Sequence, residues 1–346
     1  MAPVIRQWEE AGRPISLVMT GQHRNTVDTL FADFGIRAQP RYVYEGPEIN
    51  GIARMALWLP RIIWRMVWHA DTYFPSRRGI IVVHGDTFST LAGSLAGKLL
   101  GMKVAHVEAG LRSYNIFHPF PEELTRLAVF HLSDIAFCPG EWAMRNMEGY
   151  RCERINTGMN TIVDSVKIAL ENSVEIPPKD SYGVISIHRF ENIFSAKRLR
   201  QIVEMLEYAA SQCRLIFVLH PATEKRLRHN KLFERLKQNA NIQLKPRMGY
   251  TEFIRLAMGA RFVVTDGGSN QEELALTGIP VYLMRKATER QEGLKKNILL
   301  GKYNFNAFKS FIHQSLQETG RSNTPKLPEI SPASIICDKL ALYLST

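Results

Sequence analysis

A β-type run that ends in an acidic turn opens the most informative region of this chain, Ile81-Val82-Val83-His84-Gly85-Asp86-Thr87. The pattern recurs in His106-Val107-Glu108-Ala109-Gly110-Leu111-Arg112, and a Pro-marked helix start follows in Pro121-Glu122-Glu123. In an open parallel sheet, the carboxyl ends of the strands face the ligand crevice. Because clustered like charges repel one another, Asp86, Glu108 and Glu122 predict a site of acid–base chemistry rather than a stabilising feature.

Short β-branched runs alternate with longer helical patterns on both sides of this region. Strands are predicted at residues 15–20, 79–84, 103–107, 135–138, 183–188, 215–220, 242–244, 262–265 and 281–284. This alternation predicts βαβ units, and strands that are apolar nearly from end to end predict parallel sheets covered on both faces. The predicted fold class is α/β, with two Rossmann-like domains and a cleft between them.

The polar segment 173–181, which contains Pro177 and Pro178, is the predicted linker. We predict a first Rossmann-like domain at residues 1–172 and a second, ligand-binding one at residues 173–330. The last residues, 331–346, include an apolar helix that is predicted to cross back onto the first domain.

The charge balance favours anionic partners. The chain carries 44 Lys and Arg against 33 Asp and Glu, a difference of +11. Such a balance is compatible with nucleic acid, an anionic membrane or a phosphorylated substrate. Without a zinc finger or RNP motif, no nucleic-acid partner is predicted. One basic cluster is interpreted as the solvated face of a single helix: Lys225, Arg226, Arg228, Lys231 and Arg235.

The cysteines are scattered and form neither a CxxC pair nor a zinc spacing, so they predict reduced thiols in a cytoplasmic protein. They are Cys138, Cys152, Cys213 and Cys337. Arg6, Glu9 and Glu10 interrupt the first apolar residues, which argues against a signal peptide. No metal is predicted, since no ligand set with metal spacing stands out.

Residues 52–70 combine a tryptophan-rich apolar pattern with Arg54, Arg61 and Arg65, which share one helical face. Three arginines exclude a plain membrane span. The alternatives are an interfacial membrane helix and a helix packed on the sheet or at a dimer contact. The packed helix is the favoured interpretation.

The second half carries its own strand-end groups. The block His188-Arg189-Phe190-Glu191-Asn192 follows one predicted strand, and His220 ends the next. A strand, a glycine-rich turn and a helix start follow at residues 265–273. Glycines let a backbone approach phosphate, and a helix N-terminus offers free N–H groups to an anion. Glu273, expected inside the first helical turn, suits a ribose diol.

A polar cluster after the following strand suits a diphosphate. It consists of Arg285, Thr288, Glu289 and Arg290. Neither a Walker loop nor a GxGxxG motif is present, so ATP and NAD binding are disfavoured. No cofactor is predicted.

The chain resembles the non-hydrolysing UDP-N-acetylglucosamine 2-epimerases, a bacterial family with a two-domain, glycosyltransferase-B-like fold. The matching blocks keep the family's order over roughly residues 20 to 300. They begin with Gly21-Gln22-His23-Arg24, His84-Gly85-Asp86-Thr87, the Glu108 block and Pro121-Glu122-Glu123. They continue with Thr157-Gly158-Met159-Asn160-Thr161, the His188 block, Gly267 to Glu273, and Thr288-Glu289-Arg290.

This resemblance implies epimerisation of UDP-GlcNAc to UDP-ManNAc, through elimination of UDP to a glycal and re-addition. It implies that Asp86, Glu108 and Glu122 form the acid/base group and that His188 supports departure of the leaving group. The UDP-binding residues would be Arg189, Gly267, Gly268, Ser269, Glu273 and Arg290. A second, activating UDP-GlcNAc would bind near Gln22, His23 and Arg24, and the protein would be a homodimer.

Three departures from the family pattern bear on these expectations. Family members begin with a strand and a Gly-Thr-Arg-Pro-Glu loop, whereas this chain starts at Met1-Ala2-Pro3, so that strand and the loop arginine are expected to be absent. A missing central strand would expose two strand edges. Phe190 stands where Arg is usual, and Ser269-Asn270 replaces Gly-Ile or Gly-Val. The last two indicate a related UDP-sugar as an alternative substrate.

Two alternative functions remain open. A glycosyltransferase-B-type transferase would share the UDP site but would need an acceptor. A shortened chain could also bind a UDP-sugar without turnover. The sequence does not assign the base and the acid among the three carboxylates, nor does it exclude a hydrolysing outcome.

Overall fold

The structure, a computed structural model, describes residues 1–21, 27–46, 52–116, 121–171, 182–288, 290–318, 325 and 327–345. The chain divides into two units. Unit 1 comprises Met1–Ser165 and Glu329–Thr346, and unit 2 comprises Val166–Pro328. The sequence predicted that the first domain ends at residue 172. In the structure the chain leaves unit 1 after Ser165, within a helix.

Unit 1 alternates helices and strands. In chain order they are α1 (Ala2–Glu10), β1 (Val18–Met19), α2 (Val27–Phe34), β2 (Arg41–Tyr42), α3 (Ile52–Trp68), α4 (Ala70–Tyr73), β3 (Ile80–His84), α5 (Phe88–Leu99), β4 (Lys103–Val107), α6 (Glu122–Leu132), β5 (Ile135–Cys138), α7 (Glu141–Asn146), β6 (Glu153–Asn156) and the first part of α8 (Ile162–Glu171).

Four of these strands form a parallel sheet in the order β3-β4-β5-β6, while β1 and β2 pair in parallel as a separate sheet. His84 lies opposite Val107, and Val107 lies opposite Phe137. The residues after β3 and β4 therefore emerge at one edge of the sheet. Within the described ranges, no strand pairs with the second edge of β1 or of β3.

Unit 2 contains a parallel sheet in the order β12-β11-β10-β7-β8-β9. Its elements are β7 (Tyr182–Ser186), α9 (Phe190–Ile193), α10 (Ala196–Ala210), β8 (Arg214–Leu219), α11 (Pro221–His229), α12 (Phe233–Lys237), β9 (Ile242–Pro246), α13 (Tyr250–Met258), β10 (Phe262–Thr265), α14 (Gly268–Ala275), β11 (Val281–Leu283), β12 (Ile298–Leu300) and α15 (Phe305–Gln317).

The chain reverses its direction across this sheet beside β7. It runs outward through β8 and β9 and then returns to β10 on the other side of β7, where Thr265 lies opposite Ser186. Ligands of open α/β sheets bind at the carboxyl ends of strands at such a reversal. The residues that follow β7 and β10 therefore form the natural binding position of unit 2.

The final helix, α16 (Pro332–Ser345), belongs to unit 1. It packs on α1 through a core that includes Trp8, Ile336 and Leu340. Gln7 Nε2 donates to Ser334 Oγ over 2.6 Å. These contacts bind the last helix to the first one.

The predicted α/β fold with parallel sheets is confirmed, and each predicted strand is present, although the first is shortened from residues 15–20 to Val18–Met19. Sequence reasoning missed β2, β6 and β12. All three are short edge strands. β2 and β6 contain charged or polar residues instead of an apolar run, and β12 has only three residues, too few to show a strand pattern.

The prediction that the basic cluster from Lys225 to Arg235 lies on a single helix is wrong. The chain forms α11 and α12 instead, because Lys231 between them adopts a left-handed backbone conformation (φ 58°) that ends the first helix. Arg228 pairs with Glu224 on α11, whereas Arg235 on α12 pairs with Glu207. The basic residues therefore do not form one continuous face.

Helix α3 packs as the sequence predicted. Trp58, Ile62 and Met66 are buried in the core shared with α5 and β3, while Trp64 and Trp68 stack on the exposed side at 5.7 Å between ring centroids. Across the described part of the chain, no helix has both the length and the apolar character needed to cross a membrane.

Candidate active site

The turns that carry Asp86 and Glu108 lie against one another at the carboxyl edge of the unit 1 sheet. Asp86 is two residues beyond β3, and Glu108 directly follows β4. The Gly85 amide donates to Val107 O over 3.1 Å. A Cβ added at Gly85 would lie 3.4 Å from Glu108 Oε2. The structure therefore brings these two predicted residues together.

Glu108 has a left-handed backbone conformation, with φ of 66°. Such a conformation costs a non-glycine residue about 1–3 kcal/mol and concentrates at functional sites. Its side chain is held from two sides. Asn160 Nδ2 donates to Oε1 over 2.8 Å, and His84 Nε2 lies 3.4 Å from Oε2. Asn160 and His84 thus fix the orientation of a carboxylate whose residue has a strained backbone.

Asp86 forms a salt bridge with Arg126, which lies one turn after Glu122 on α6. Arg126 also donates to the buried Glu123 over 3.2 Å, and Arg112 donates to the other oxygen of Glu123 over 2.5 Å. Burial alone would raise the pKa of Glu123, but the Ser113 N–H and both guanidinium groups outweigh it and lower that pKa. A chain of ion pairs from Asp86 through Arg126 and Glu123 to Arg112 therefore connects the Asp86 turn to α6.

His106 supports the same turn from below. Its ring is buried, and Nε2 lies 2.8 Å from Gly85 O. Burial lowers the pKa of His106 to about 4, so the ring is neutral at neutral pH. A carbonyl oxygen only accepts hydrogen bonds, which assigns the ring proton to Nε2. His106 therefore holds the Gly85–Asp86 peptide by donation.

Glu122 begins α6, directly after Pro121. Its Oε2 atom is buried and lacks a hydrogen-bond partner among the residues that the structure describes. Leaving a buried polar atom unpaired costs about 1–3 kcal/mol. An oxygen in this state suits a ligand. Glu122 lies one turn before Arg126 on α6, so the same helix carries the third predicted carboxylate and the ion-pair partner of Asp86.

In unit 2, His188 and Asp266 lie side by side after the neighbouring strands β7 and β10. His188 Nδ1 is 3.3 Å from Asp266 Oδ1. The carboxylate of Asp266 is fully buried and also accepts hydrogen bonds from the backbone amides of His188 and Arg189 at 3.0 Å each. Sequence reasoning gave Asp266 no role, because its partners lie far away in the chain.

The glycine-rich turn after β10 allows close packing around the start of α14. A Cβ at Gly267 would lie 3.1 Å from His188 Cε1, and a Cβ at Gly268 would lie 3.0 Å from Arg290 Nε. Ser269 is exposed in the first turn. Gly267, Gly268, Ser269 and Arg290 are thus grouped at one helix N-terminus, where free N–H groups favour an anion.

Arg290 is already paired. Its guanidinium forms a short salt bridge with the buried Glu272, which sequence reasoning did not predict. Gln271 Nε2 also donates to Arg290 O over 3.1 Å. Arg290 is thus pinned over the start of α14. Arg189, another predicted nucleotide contact, is half-buried, and its Nε lies 3.1 Å from Glu191 Oε1.

The expected position of Glu273 was wrong. Helix α14 starts at Gly268, so Glu273 lies in its second turn rather than in its first. Glu273 is only 5% exposed, and burial raises its pKa from 4.5 to about 7. A ribose contact by this residue stays a prediction.

The predicted activator residues Gln22, His23 and Arg24 lie outside the described residues, as does Glu289. In the part of the chain that is described, no group of three or more His, Cys, Asp or Glu side chains is placed to hold a metal ion.

The family model for UDP-N-acetylglucosamine 2-epimerase matches residues 8–323 of the chain. This chain belongs to that family. A UDP-N-acetylglucosamine 2-epimerase of Methanocaldococcus jannaschii is 33% identical over 325 residues, which cover 87% of this chain and 84% of the relative. A UDP-2,3-diacetamido-2,3-dideoxy-D-glucuronate 2-epimerase of Pseudomonas aeruginosa is 32% identical over 301 residues, covering 82% and 79%.

Solved structures of the family share the fold. The Methanocaldococcus jannaschii UDP-GlcNAc 2-epimerase, in complex with UDP-GlcNAc and UDP, superposes with a TM-score of 0.78 and 29% sequence identity. The match covers 99% of this chain and 95% of that chain. This member of the 2-epimerase family therefore has the predicted glycosyltransferase-B-like architecture.

Proposed function

We propose that this chain is a UDP-N-acetylglucosamine 2-epimerase that interconverts UDP-GlcNAc and UDP-ManNAc. The observation that carries the proposal is the contact between the strand-end turns of Asp86 and Glu108 in a chain that belongs to this family. A relative of known structure binds UDP-GlcNAc and UDP. The product would supply ManNAc-type sugars for surface polysaccharide.

The reaction inverts C2 by elimination and re-addition. A base removes the weakly acidic C2 hydrogen as the C1–O bond to UDP breaks, which leaves a glycal. UDP then adds back to C1 while an acid returns hydrogen to the opposite face of C2. Asp86, Glu108 and Glu122 are the proposed group for these transfers. Opposite transfers need carboxylates in different surroundings, and these three have different partners.

Unit 2 supplies the proposed nucleotide contacts. Gly267, Gly268 and Ser269 present the start of α14 to the diphosphate, and Arg290 lies against Gly268. His188 would stabilise the negative charge that develops on UDP as it leaves. Arg189 and Glu273 complete the proposed set, with Glu273 at the ribose.

Proton NMR of the protein with UDP-GlcNAc in D2O tests the proposal. Appearance of UDP-ManNAc with deuterium at C2 is the expected result, because the removed hydrogen is replaced from solvent. Release of UDP only after addition of a sugar acceptor would instead identify a transferase. Release of free ManNAc would identify a hydrolysing enzyme. Binding of UDP-GlcNAc without exchange at C2 would identify a non-catalytic UDP-sugar-binding protein.

A related UDP-sugar is the second candidate substrate. The Pseudomonas aeruginosa relative acts on a diacetamido-glucuronate, and Phe190 is 69% exposed beside His188 and Arg189. Comparison of kcat/KM for UDP-GlcNAc and for its 3-acetamido uronate analogue decides between them. A higher value for the analogue would transfer the proposal to that sugar while keeping the reaction at C2.

The remaining proposals concern assembly and regulation. We propose a cytoplasmic homodimer, because members of this family are expected to be dimers and UDP-sugars are cytoplasmic metabolites. A second UDP-GlcNAc at Gln22, His23 and Arg24 is the proposed activator. Sedimentation velocity measures the oligomeric state. With UDP-ManNAc as the substrate, a rate that increases when UDP-GlcNAc is added would support activation. A rate that added UDP-GlcNAc does not increase would contradict it.

A further inference from the structure

We infer that Asp266 is a positioning residue for the epimerase reaction, one that fixes the ring of His188 and keeps a proton on its Nδ1 atom. This inference deepens the proposed function and rests on it for the role of His188 beside departing UDP. The geometry that carries it is the approach of His188 Nδ1 to within 3.3 Å of the buried Asp266 Oδ1.

The carboxylate of Asp266 is held from several directions. Both oxygens lie within hydrogen-bond distance of the His188 amide, at 3.0 and 3.1 Å. The Arg189 amide and Asn192 Nδ2 donate to Oδ2 over 3.0 and 2.7 Å. Every hydrogen bond that the described residues make to it is donated to it, which suits an ionised carboxylate, since that group accepts hydrogen bonds and donates none. Asp266 is therefore a fixed negative charge beside the imidazole.

A second layer fixes Asn192. Tyr303 Oη donates to Asn192 Oδ1 over 2.8 Å, and Asn192 Nδ2 also donates to Met284 O over 3.0 Å. Tyr303 is buried, and the Arg198 guanidinium lies 3.5 Å from the centroid of its ring. Because the amide of Asn192 is bonded at both ends, its NH2 group can face Asp266 but its oxygen cannot. The donors and acceptors are therefore assigned along the whole hydrogen-bonded series Tyr303, Asn192, Asp266 and His188.

The position of the ring then determines which nitrogen serves a ligand. Nδ1 faces Asp266, and Cε1 packs over the position of Gly267, where a Cβ would lie only 3.1 Å away. Nε2 is left for the ligand, in a side chain that is 40% exposed. A ring protonated at both nitrogens pairs Nδ1–H with Asp266 and offers Nε2–H to a phosphate oxygen.

The neighbouring ring does not compete for this role. His220 lies 5.9 Å from His188 between ring centroids. Burial, His188 and Arg247 together lower the pKa of His220, so its ring stays neutral. No proton transfer from His188 is required, because a hydrogen bond donated by Nε2–H stabilises UDP as the C1–O bond breaks.

The experiment is 15N NMR of histidine-labelled protein saturated with UDP, with the His188 signals assigned by their loss in His188→Gln. A proton on Nδ1 of His188 is expected in the wild-type protein. In Asp266→Asn, that proton should be lost or shared between the nitrogens. Steady-state kinetics should show kcat lowered about 100-fold or more, with KM within about threefold of wild type.

Two further variants keep the test decisive if Asp266→Asn does not fold. Tyr303→Phe removes only the hydroxyl that orients Asn192, so it should lower kcat about 3- to 10-fold and broaden the His188 tautomer signal. Thr223→Val is the matched control, because Thr223 Oγ1 donates to Ile187 O over 2.6 Å beside the same turn and is not among the described donors to Asp266. It should leave the His188 spectrum unchanged.

A wild-type His188 protonated on Nε2 alone would overturn the inference. So would an unchanged His188 spectrum in both the Asp266 and Tyr303 variants. Failure of the proposed function gives a different result: C2 exchange would be absent with UDP-GlcNAc, while the Nδ1 proton would still be seen in the UDP-bound protein.

Discussion

Arg126 on α6 reaches across forty residues of sequence to pair with Asp86 after β3. The same guanidinium binds Glu123, whose side chain is fully buried. One cation therefore fixes both a proposed reactive carboxylate and the structural carboxylate beside it. Without Arg126, Asp86 would lose this ion pair, while Glu123 would keep its hydrogen bonds from Arg112 and the Ser113 amide.

Arg126→Met should destabilise the protein by about 1.5–3 kcal/mol, because the buried Glu123 loses one of its two cationic hydrogen-bond donors. Urea unfolding followed by circular dichroism measures the change. The matched control is Lys98→Met, which breaks the exposed Lys98–Asp134 pair. It should cost less than about 1 kcal/mol. Equal losses in the two variants would show that the Arg126 network adds nothing beyond a surface pair.

Glu108→Gln and Asp86→Asn should abolish turnover while UDP binding is retained. Each change keeps the shape of the side chain and removes its ability to take a proton, so kcat should fall at least about 100-fold. Isothermal titration with UDP should give a Kd within about threefold of wild type. Glu148→Gln, at an exposed carboxylate on the surface of unit 1, is the control and should keep full activity. A parallel loss of UDP affinity would make the carboxylates structural.

Glu273→Gln should stabilise the UDP-free protein above neutral pH but not in acid. The pKa of Glu273 is about 7 in the folded protein against 4.5 when exposed, so the folded state binds the proton more tightly. Its contribution to stability is full below about pH 4.5 and is lost as the pH rises to about 7. The difference corresponds to roughly 3 kcal/mol.

Urea unfolding at about pH 5 and about pH 8 checks this prediction. Glu252→Gln, an exposed acid on α13, is the control and should show no such pH-dependent gain. An equal effect of Glu273→Gln at both pH values would contradict the buried, raised-pKa carboxyl.

Gly268→Ala should weaken UDP binding through displacement of Arg290. The added Cβ would lie 3.0 Å from Arg290 Nε, so the guanidinium must shift away from the start of α14. We expect about a tenfold rise in the Kd for UDP, equal to about 1.4 kcal/mol. The control is Gly149→Ala, where a Cβ meets nothing within 4 Å. Unchanged UDP affinity in Gly268→Ala would remove Arg290 from the proposed diphosphate contacts.

The positions of the proposed reactive groups were predictable because they follow local patterns. Asp86, Glu108 and His188 each come just after an apolar β-branched run, and β4 and β5 have the predicted bounds. A buried strand can be located from the sequence because it appears there as a run of apolar residues. The strands β2, β6 and β12 and the break between α11 and α12 leave no such mark, since β2 and β6 lack an apolar run, β12 has only three residues and the break depends on one backbone angle.

The sequence by itself determined the α/β class, the central strands and the acidic residues at their ends, because apolar periodicity and turn residues are local properties. Only the tertiary structure decided which groups orient those residues. Arg126 meets Asp86 across 40 residues, Asp266 meets the His188 amide across 78, and Tyr303 meets Asn192 across 111. Such partners are chosen by strand order and helix packing, which no local pattern encodes.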